Sequence, residues 1–323
     1  MINTASVNRR SFAKNLTAGL LLAGLAPTSA SLRPAIPRSN GRERMVRLGG
    51  PVFVKSDDPD ELARAHSELG YRAAYCPAIS LNDKDRITAT IRAFCEQGVV
   101  LAEVGRWCNL LDPDPAQRKK NLDNVIEGLA LAEALGALCC VDIAGSFNPK
   151  TWYGPHPENL SRDFFDAAVE NARKIIDAVQ PIRSKFCYEM MGWALPDSPD
   201  SYFKMIRAVD RKAFAAHLDP CNLINCPERY YQSTALLHEC FRKLGPHIVS
   251  CHAKDLSWNL EMNLHFREVR PGEGDLDYSA YLRLISSLGQ TPPLMLEHLS
   301  SAQEYDLAKA HLVKLGQAQG ISM

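Results

Sequence analysis

The chain alternates short apolar runs with longer segments of helical periodicity, and this alternation strongly limits the folds that it can adopt. From residue 46 onwards, eight apolar runs are predicted as strands, at residues 46–54, 73–77, 99–104, 137–143, 185–189, 213–218, 248–252 and 293–297. Eight predicted helices follow them in turn, at residues 59–69, 84–96, 115–135, 158–178, 199–209, 229–244, 278–287 and 301–315. Strands and helices in this order indicate parallel strands joined by right-handed crossovers.

Eight parallel strands are the number that closes a (β/α)8 TIM barrel, and this α/β fold class is our prediction. A doubly wound open sheet is the alternative. It is disfavoured because no G-x-G-x-x-G motif opens the first helix. The glycines nearest to that point, Gly49 and Gly50, lie inside or before the first strand. A chain of 323 residues that is 46% hydrophobic can form one such domain. We therefore predict a single barrel domain over residues 46–323.

The residues before this domain are predicted to direct export. N-R-R-S-F-A-K at residues 8–14 precedes a weakly apolar run and small residues up to Ala30, which matches a twin-arginine signal peptide over residues 1–30. An amphipathic N-terminal helix is the alternative interpretation. Residues 31–45, rich in Pro, Ser, Arg and Gly, read as a linker. Because the apolar run is too short for a stable membrane anchor, we expect a periplasmic or secreted protein exported by the twin-arginine route.

The charge balance bears on the partners that the chain binds. Lysine and arginine number 37, as do aspartate and glutamate, so the formal net charge is zero. This balance gives no sign of the basic surface that binds nucleic acid or an anionic membrane. Small molecules are therefore favoured as partners.

The ten cysteines include no C-x-x-C pair. Five of them lie in apolar runs and are interpreted as buried free thiols that pack as small hydrophobic groups: Cys76, Cys139, Cys140, Cys187 and Cys251. Disulfides can form in an exported protein, so a disulfide between Cys221 and Cys226 is the alternative for these two residues.

Four consecutive predicted strands carry a polar side chain at or just beyond their carboxyl end, where TIM barrels place their chemistry. These residues are Glu189, Asp219, His252 and Glu297. Each alone also has a purely structural interpretation. Glu189 could form a salt bridge and Asp219 a helix cap or turn, whereas His252 could be a core histidine and Glu297 a solvent-facing strand end. Three carboxylates around one barrel mouth would be costly to bury without a cation, however. Oxygen ligands with one imidazole suit Mn²⁺ or Mg²⁺, and also admit Zn²⁺ or Co²⁺.

The stretch after His252 supplies further candidates for substrate binding. Lys254 lies two residues beyond His252 and shares its inward face, where it either neutralises an enediolate or pairs with Asp255. Arg270 and Arg267 are candidates to hold substrate oxygens, and for Arg267 a solvated loop arginine is the alternative. We predict a long loop here, up to a helix start at residue 277.

Other side chains near the strand ends complete the candidate set. His217 lies two residues before Asp219, so it either supports the ligands or is a core histidine. Aromatic residues could form a sugar-stacking wall, with packing in the core or rim as the alternative. Trp107 and Trp193 are the preferred pair, and the others are Trp152, Tyr153 and Trp258.

These residues together resemble the xylose-isomerase-like TIM barrels, a family of the sugar phosphate isomerase and epimerase type. The resemblance rests on the order Glu, Asp, His, Glu over strands five to eight, on H-x-K-D at residues 252–255 and on P-G-x-G at residues 271–274. It covers residues 46–316. It implies that Glu189, Asp219, His252 and Glu297 bind one divalent metal ion, with Mn²⁺ as the first choice, and that Glu189 and Glu297 move a proton on either face of the substrate.

One position departs from the family pattern. Ketose epimerases usually carry His three residues after the Asp of strand six, whereas this chain has Asn222. An amide hydrogen-bonds a hydroxyl but is neither an acid nor a base near neutral pH, so Asn222 is a candidate for substrate binding and the substrate stays open. Endonuclease IV, another member of this superfamily, needs further histidines for its three-metal site. Strands two and three lack them, so no nucleic-acid partner is expected.

The sequence thus predicts a divalent-metal-dependent sugar isomerase or epimerase that abstracts a proton next to a carbonyl of a sugar or polyol. The alternative is a metal-dependent lyase or dehydratase that cleaves a keto-sugar or 3-keto-glycoside by elimination. A sugar-binding barrel with a decayed site is a third hypothesis, against which the complete set of four ligands argues. The expected partner is a small sugar or keto-sugar. Because this family often forms dimers or tetramers, a homo-oligomer is also expected.

Overall fold

The computed structural model describes residues 44–323. The predicted export signal at residues 1–30 and the predicted linker up to residue 43 lie outside the described residues, so both stay predictions. Met45 forms a parallel bridge with Ser322, which places the start of the described chain beside its end. Among the described helices, none combines the length and the apolar character needed to cross a membrane.

Strands and helices alternate along the described residues. The strands are β1 (Leu48–Gly49), β2 (Ala73–Tyr75), β3 (Val100–Gly105), β4 (Cys139–Asp142), β5 (Lys185–Glu189), β6 (Phe214–Leu218), β7 (Ile248–Ala253), β8 (Asp255–Asn259), β9 (His265–Val269) and β10 (Leu294–Leu296). The helices are α1 (Pro59–Glu68), α2 (Lys84–Glu96), α3 (Pro115–Leu135), α4 (Arg162–Val179), α5 (Pro199–Val209), α6 (Pro227–Tyr231), α7 (Ser233–Leu244), α8 (Tyr278–Ser287) and α9 (Ala302–Ala318).

Eight of these strands close a parallel barrel in the order β1-β10-β7-β6-β5-β4-β3-β2. The predicted (β/α)8 TIM barrel is therefore confirmed. Within it, β5, β6, β7 and β10 are consecutive neighbours, with Glu189 opposite His217 and His252 opposite Met295. Because parallel strands end at the same face, the carboxyl ends of these four strands form one side of the barrel mouth.

Local caps explain where several helices begin. Asp58 and Asp114 each accept a hydrogen bond from the second backbone amide of α1 and α3, and a proline follows each of them at the first helical position. The helix predicted over residues 158–178 is shorter, because Ser161 caps α4 through the Phe164 amide and a 3-10 turn, Pro157–Leu160, precedes it. The helix predicted over residues 229–244 is interrupted at Gln232.

Small side chains make up most of two buried clusters inside the barrel. One interior cluster contains Ala73, Ala102 and Met295, and a second contains Cys139, Cys187 and Ala215. A Cβ atom on Gly49 would lie 2.5 Å from the carbonyl oxygen of Ala73, so the contact of β1 with β2 requires glycine. All ten cysteines are free, Cys221 and Cys226 included.

The stretch predicted as a long loop after His252 is instead largely a β-hairpin. β8 and β9 pair antiparallel, with Trp258 opposite Phe266. The ring of Phe266 stacks on Tyr230, with centroids 5.0 Å apart, and Trp258 meets Tyr230 edge to face. The prediction was wrong because the aromatic partners of the hairpin come from α6, outside the segment itself.

Candidate active site

The four predicted ligand residues lie together at the carboxyl ends of neighbouring strands. Glu189 is the last residue of β5, Asp219 directly follows β6, His252 lies in β7, and Glu297 directly follows β10. Asp219 and His252 have no exposed surface, and Glu189 is 5% exposed. This burial places the group below the rim of the barrel.

The imidazole of His252 is central to this group. Its Nδ1 atom lies 2.7 Å from Oε2 of Glu297, 3.3 Å from Oε1 of Glu189 and 3.8 Å from Oδ2 of Asp219. One ligand atom from each of the four residues lies within 4.8 Å of all the others. Four lone-pair donors at such distances repel one another unless a cation or a proton lies between them.

Two buried oxygens without hydrogen bonds indicate that the group fits a metal ion. Asp219 Oδ2 and Glu297 Oε2 are buried, and within the described residues neither receives a hydrogen bond. Buried carboxylate oxygens without hydrogen bonds are rare in folded proteins and require an explanation. Three carboxylates with one imidazole are ligands of the kind that divalent metals bind, so this group can hold such an ion.

Lys254 supplies a positive charge inside the same group. Its side chain is 4% exposed, and Nζ lies 2.9 Å from both Asp219 Oδ2 and Glu297 Oε2, without the angles of a hydrogen bond. The pairing with Asp255 that the sequence left open does not form. Asp255 instead accepts hydrogen bonds from three backbone amides of the following loop, those of Gly272, Gly274 and Leu276.

The charges around the carboxylates keep them ionised. Burial raises the pKa of Glu297, but His252 and Lys254 outweigh burial and lower this pKa to about 2. Asp219 shows the same balance, because burial raises its pKa and the nearby Lys254 and His252 lower it well below its usual range. Both carboxylates are therefore negatively charged at neutral pH, as metal ligands must be.

Glu189 and Glu297 of this group line one side of a cavity of about 550 Å³. Loops after β3, β4 and β5 contribute an aromatic and apolar wall, made of Trp107, Ile143, Trp152, Tyr153, Met191 and Trp193. The other half of the barrel mouth contributes polar residues, namely Asn222, Lys254, Glu268, Glu297 and His298, beside Glu189 of β5. The cavity thus has room for a small ligand with an apolar and a polar face.

Hydrogen bonds orient side chains in both parts of this cavity. The Trp193 indole donates from Nε1 to the carbonyl oxygen of Tyr153, 2.7 Å away, which ties the loop after β5 to the loop after β4. The Asn222 amide donates from Nδ2 to Oε1 of Glu189 and to the carbonyl oxygen of Met190, each at 3.0 Å. Both side chains are therefore held in fixed positions.

The structure does not bring every predicted residue to this cavity. Arg270 donates from Nε to Glu304 at 3.0 Å and also pairs with Glu273. It lines a neighbouring cavity of about 290 Å³ together with Arg267, and the two cavities share Lys254, Glu268, Glu297 and His298. Trp258 packs in the hairpin instead.

Three polar residues near the site were not predicted from the sequence. Glu268 reaches the cavity from the hairpin, and His298 bridges it to the ligand group, with Nδ1 3.0 Å from Glu268 and Nε2 3.2 Å from Oε1 of Glu297. His298 directly follows Glu297 in E-H, which is a signal that was present in the sequence. Glu103 lies beneath the group and contacts His217 and His252. The sequence signal for Glu103 was a charged residue inside an otherwise apolar run, V-L-A-E-V-G.

The fold is shared with solved proteins that differ in activity. The chain aligns with a xylose isomerase-like TIM barrel protein from Mycobacterium smegmatis, solved in complex with magnesium, at 17% identity and a TM-score of 0.59, covering 85% of this chain and 97% of the other. It aligns with 3-keto-D-glucoside 4-epimerase from E. coli at 14% identity and a TM-score of 0.60, covering 83% and 99%. Endonuclease IV from Thermus thermophilus aligns at 13% identity and a TM-score of 0.63, covering 84% and 99%.

Comparison at the level of sequence places the chain in a family. No curated protein is a significant match to it. The family model described as xylose isomerase-like TIM barrel matches residues 56–315, which is most of the chain and nearly all of the barrel. The chain therefore belongs to the xylose isomerase-like TIM barrel family.

Proposed function

We propose that the protein is a divalent-metal-dependent sugar isomerase or epimerase, which abstracts a proton next to a carbonyl of a sugar or polyol. One observation carries this proposal: three carboxylates and the Nδ1 atom of His252 converge beside a cavity of about 550 Å³. A cavity of this size accommodates a sugar, and carboxylates at its wall are suited to proton transfer.

The proposed metal ligands are Glu189, Asp219, His252 and Glu297, with Mn²⁺ as the first candidate and Mg²⁺, Co²⁺ or Zn²⁺ as the others. The buried oxygens of Asp219 and Glu297 that receive no hydrogen bond within the described residues support this assignment. A bound divalent ion would polarise the substrate carbonyl and its neighbouring hydroxyl, and so make the C–H bond between them more acidic.

Glu189 and Glu297 are the proposed acid–base residues. Glu189 ends β5 and Glu297 directly follows β10, and β6 and β7 lie between these strands, so the two carboxylates reach the ligand group from different strands. One carboxylate takes the proton from carbon. The other gains a proton from water and returns it to the opposite face of the resulting enediolate, and the first then releases its proton to water, which resets the pair. Every atom is conserved, so product and substrate have the same mass. Because neither step needs an oxidant, the residues present suffice for both proton transfers.

Lys254 and Asn222 are proposed to bind the substrate oxygens. The ammonium group of Lys254 lies close to both glutamates, 2.9 Å from Glu297 Oε2 and 3.6 Å from Glu189 Oε1. It can therefore balance the negative charge that develops on an enediolate. Asn222 is fixed by Glu189 and offers a neutral amide to a hydroxyl.

A lyase or dehydratase acting on a keto-sugar or 3-keto-glycoside is the second candidate. It would use the same first proton abstraction, followed by loss of a group from the neighbouring carbon. The extended aromatic wall favours it, because Trp107, Trp152 and Trp193 offer apolar surface for the second half of a glycoside. His298 lies beside Glu297 and is placed to give a proton to the departing oxygen.

A small-molecule partner agrees better with this cavity than nucleic acid does. Three of its lining residues are glutamates, Glu189, Glu268 and Glu297, and only Lys254 among the lining residues is a lysine or arginine. Phosphate backbones require clustered positive charge. Homo-oligomer formation stays a prediction from the family resemblance.

The test combines metal analysis with product analysis. We would measure the metal content of the purified chain and of Glu189→Gln and Glu297→Gln, and incubate each with ketoses and 3-keto-glycosides in D₂O under mass detection. An isomerase or epimerase incorporates one deuterium without loss of a fragment, and each variant loses about 100- to 10,000-fold in kcat. Glu96→Gln, on the surface of α2, is the matched control and keeps full activity.

Each alternative result has a definite meaning. Cleaved or dehydrated products would move the assignment to the lyase. Absence of bound metal after reconstitution with Mn²⁺, Co²⁺ and Zn²⁺ would overturn both candidates, because each requires the same four ligands.

A further inference from the structure

A buried glutamate lies on the inner side of the candidate metal ligands. Glu103 of β3 is 1% exposed, and its carboxylate is surrounded by side chains of β6 and β7. A charge at such depth is stable only when other groups pair with it. The proposed proton transfers do not use Glu103, so its burial needs another explanation.

Three donors satisfy the two oxygens of Glu103. His252 donates from Nε2 to Oε2 at 3.2 Å, His217 donates from Nε2 to Oε1 at 3.1 Å, and the Ser250 hydroxyl also donates to Oε1. The two imidazole rings meet edge to face, with centroids 4.1 Å apart and planes at 80°. A carboxylate only accepts hydrogen bonds, so each ring nitrogen that faces Glu103 carries a hydrogen.

This contact determines which nitrogen of His252 is free for a metal. When a metal ion replaces the hydrogen that Nδ1 shares with the carboxylates, the ring is neutral, and with a hydrogen held on Nε2 its lone pair lies on Nδ1. Nδ1 is the atom that lies 2.7 Å from Glu297 and 3.3 Å from Glu189. The opposite tautomer would turn an N–H toward the ligand position and leave Glu103 facing a second lone pair.

We propose that Glu103 is a positioning residue, which holds the His252 ring so that Nδ1 is the metal-binding atom. The proposal rests on the metal site of the proposed function and extends it to a residue that touches neither substrate nor metal. Carboxylates that orient a metal-binding histidine in this way raise metal affinity by about 10- to 100-fold.

His217 has a supporting role in this arrangement. Its Nδ1 atom is buried and, within the described residues, has no hydrogen-bond partner. His217 can therefore move its proton from Nε2 to Nδ1 without breaking another hydrogen bond. This freedom matters for Glu103→Gln, because a glutamine accepts a hydrogen bond from one ring only. Its amide nitrogen would face His217 and Ser250, whose hydroxyl can turn to accept, while its oxygen would still accept from His252.

The variants Glu103→Leu and Glu103→Gln distinguish positioning from bulk packing. We expect Glu103→Leu to weaken Co²⁺ and Zn²⁺ binding by about 10- to 100-fold in a chelator competition, and Glu103→Gln to lose less than about 10-fold. Asp142→Asn is the matched control, because Asp142 is a fully buried carboxyl on β4 that accepts from the Cys108 and Ile143 amides. It keeps the affinity of the wild-type chain.

Nitrogen-15 spectra of the histidine rings give a readout that a packing defect would not move. With Zn²⁺ bound, the wild-type chain should show His252 with a proton on Nε2 and the metal on Nδ1. Glu103→Gln should keep this pattern for His252 and move the His217 proton to Nδ1. If Glu103→Leu does not fold, these spectra and the glutamine variant still carry the test.

Three results would overturn the proposal. In the first, the Glu103→Leu variant binds metal as tightly as the Asp142→Asn variant does. A second is two metal equivalents in the wild-type chain, one of them lost in Glu103→Leu, because Glu103, His217 and His252 would then themselves be a metal site. If the wild-type chain binds no metal, the proposed function fails independently. In that case, the nitrogen-15 spectrum of the metal-free chain decides the role of Glu103. That role is overturned if Nε2 of His252 carries no proton.

Discussion

The ammonium group of Lys254 lies 2.9 Å from Oδ2 of Asp219, and both side chains are buried at the centre of the candidate metal site. Lys254 therefore serves as an internal counter-ion for carboxylates that would otherwise repel one another. A divalent ion bound by the same carboxylates would compete with this lysine for their charge.

We expect Lys254→Met to destabilise the metal-free protein and to tighten its metal binding. Removal of one partner from a buried ion pair costs about 3 kcal/mol, because the remaining charges lose their compensation. Urea unfolding with and without Mn²⁺ measures both effects, and Mn²⁺ should stabilise the variant more than the wild-type chain. Lys243→Met is the control. Lys243 pairs with Asp200 and Glu239 at the protein surface, so its loss costs less than about 1 kcal/mol. Equal stabilisation of wild type and variant by Mn²⁺ would contradict the competition.

Removal of the metal should lower the thermal stability of the chain. An ion present at 100 times its dissociation constant stabilises the folded state by about 2.7 kcal/mol, which corresponds to a shift of about 5 °C for a domain of this size. Calorimetry before and after treatment with EDTA measures this shift. Asp219→Asn should show no shift, because it lacks one of the four ligands. An EDTA-insensitive wild-type chain would argue against a bound ion.

The aromatic wall is expected to contribute to substrate binding and little to the chemical step. Trp107→Leu and Trp193→Leu each remove a ring that stacks on the substrate. The lost stacking should weaken substrate binding by about 1 to 1.5 kcal/mol, so KM should rise about 10-fold while kcat changes little. Steady-state kinetics with the substrate found in the product screen tests this split. Phe203→Leu is the control, because Phe203 is a half-exposed aromatic residue of α5 that lies beside His247, before β7 begins. A fall in kcat with unchanged KM would show that the tryptophans act differently.

Export by the twin-arginine route is tested on the intact chain. Replacement of Arg9 and Arg10 by lysine should retain the protein in the cytoplasm, because the export signal depends on the arginine pair. Fractionation of cells that express each form measures the exported share. Arg33→Lys with Arg38→Lys, in the predicted linker, is the matched control and should be exported. Equal export of both double variants would disprove the signal.

The helices were predicted most accurately from the sequence. The predicted bounds of α2, α3, α5 and α8 agree with the structure, because a side chain caps the start of each and such capping is a local signal. Amphipathic periodicity adds a second local signal in α2, α5 and α8 but not in α3. Strand ends were predicted less well. β1 contains two residues where nine were predicted, because the length of a strand depends on the hydrogen bonds of its neighbours.

The position of Glu103 shows why part of the site could not be predicted. Ala74 pairs with Leu101, but the next residue, Tyr75, pairs with Glu103, so the register shifts by one residue in β3. Ala102 and Glu103 both reach the barrel interior as a result, although simple alternation would place them on opposite faces. No periodic pattern in the sequence records such a shift.

The sequence by itself determined the alternation of strands and helices, and with it the barrel and the placing of Glu189, Asp219, His252 and Glu297 at strand ends. This was achievable because position at the end of a parallel strand follows from local pattern and topology. Only the tertiary structure decided that Glu103 meets His252 across 149 residues, and that Glu268 and His298 reach the cavity. Those contacts depend on strand register and on hairpin packing, which are set by side chains distant in the sequence.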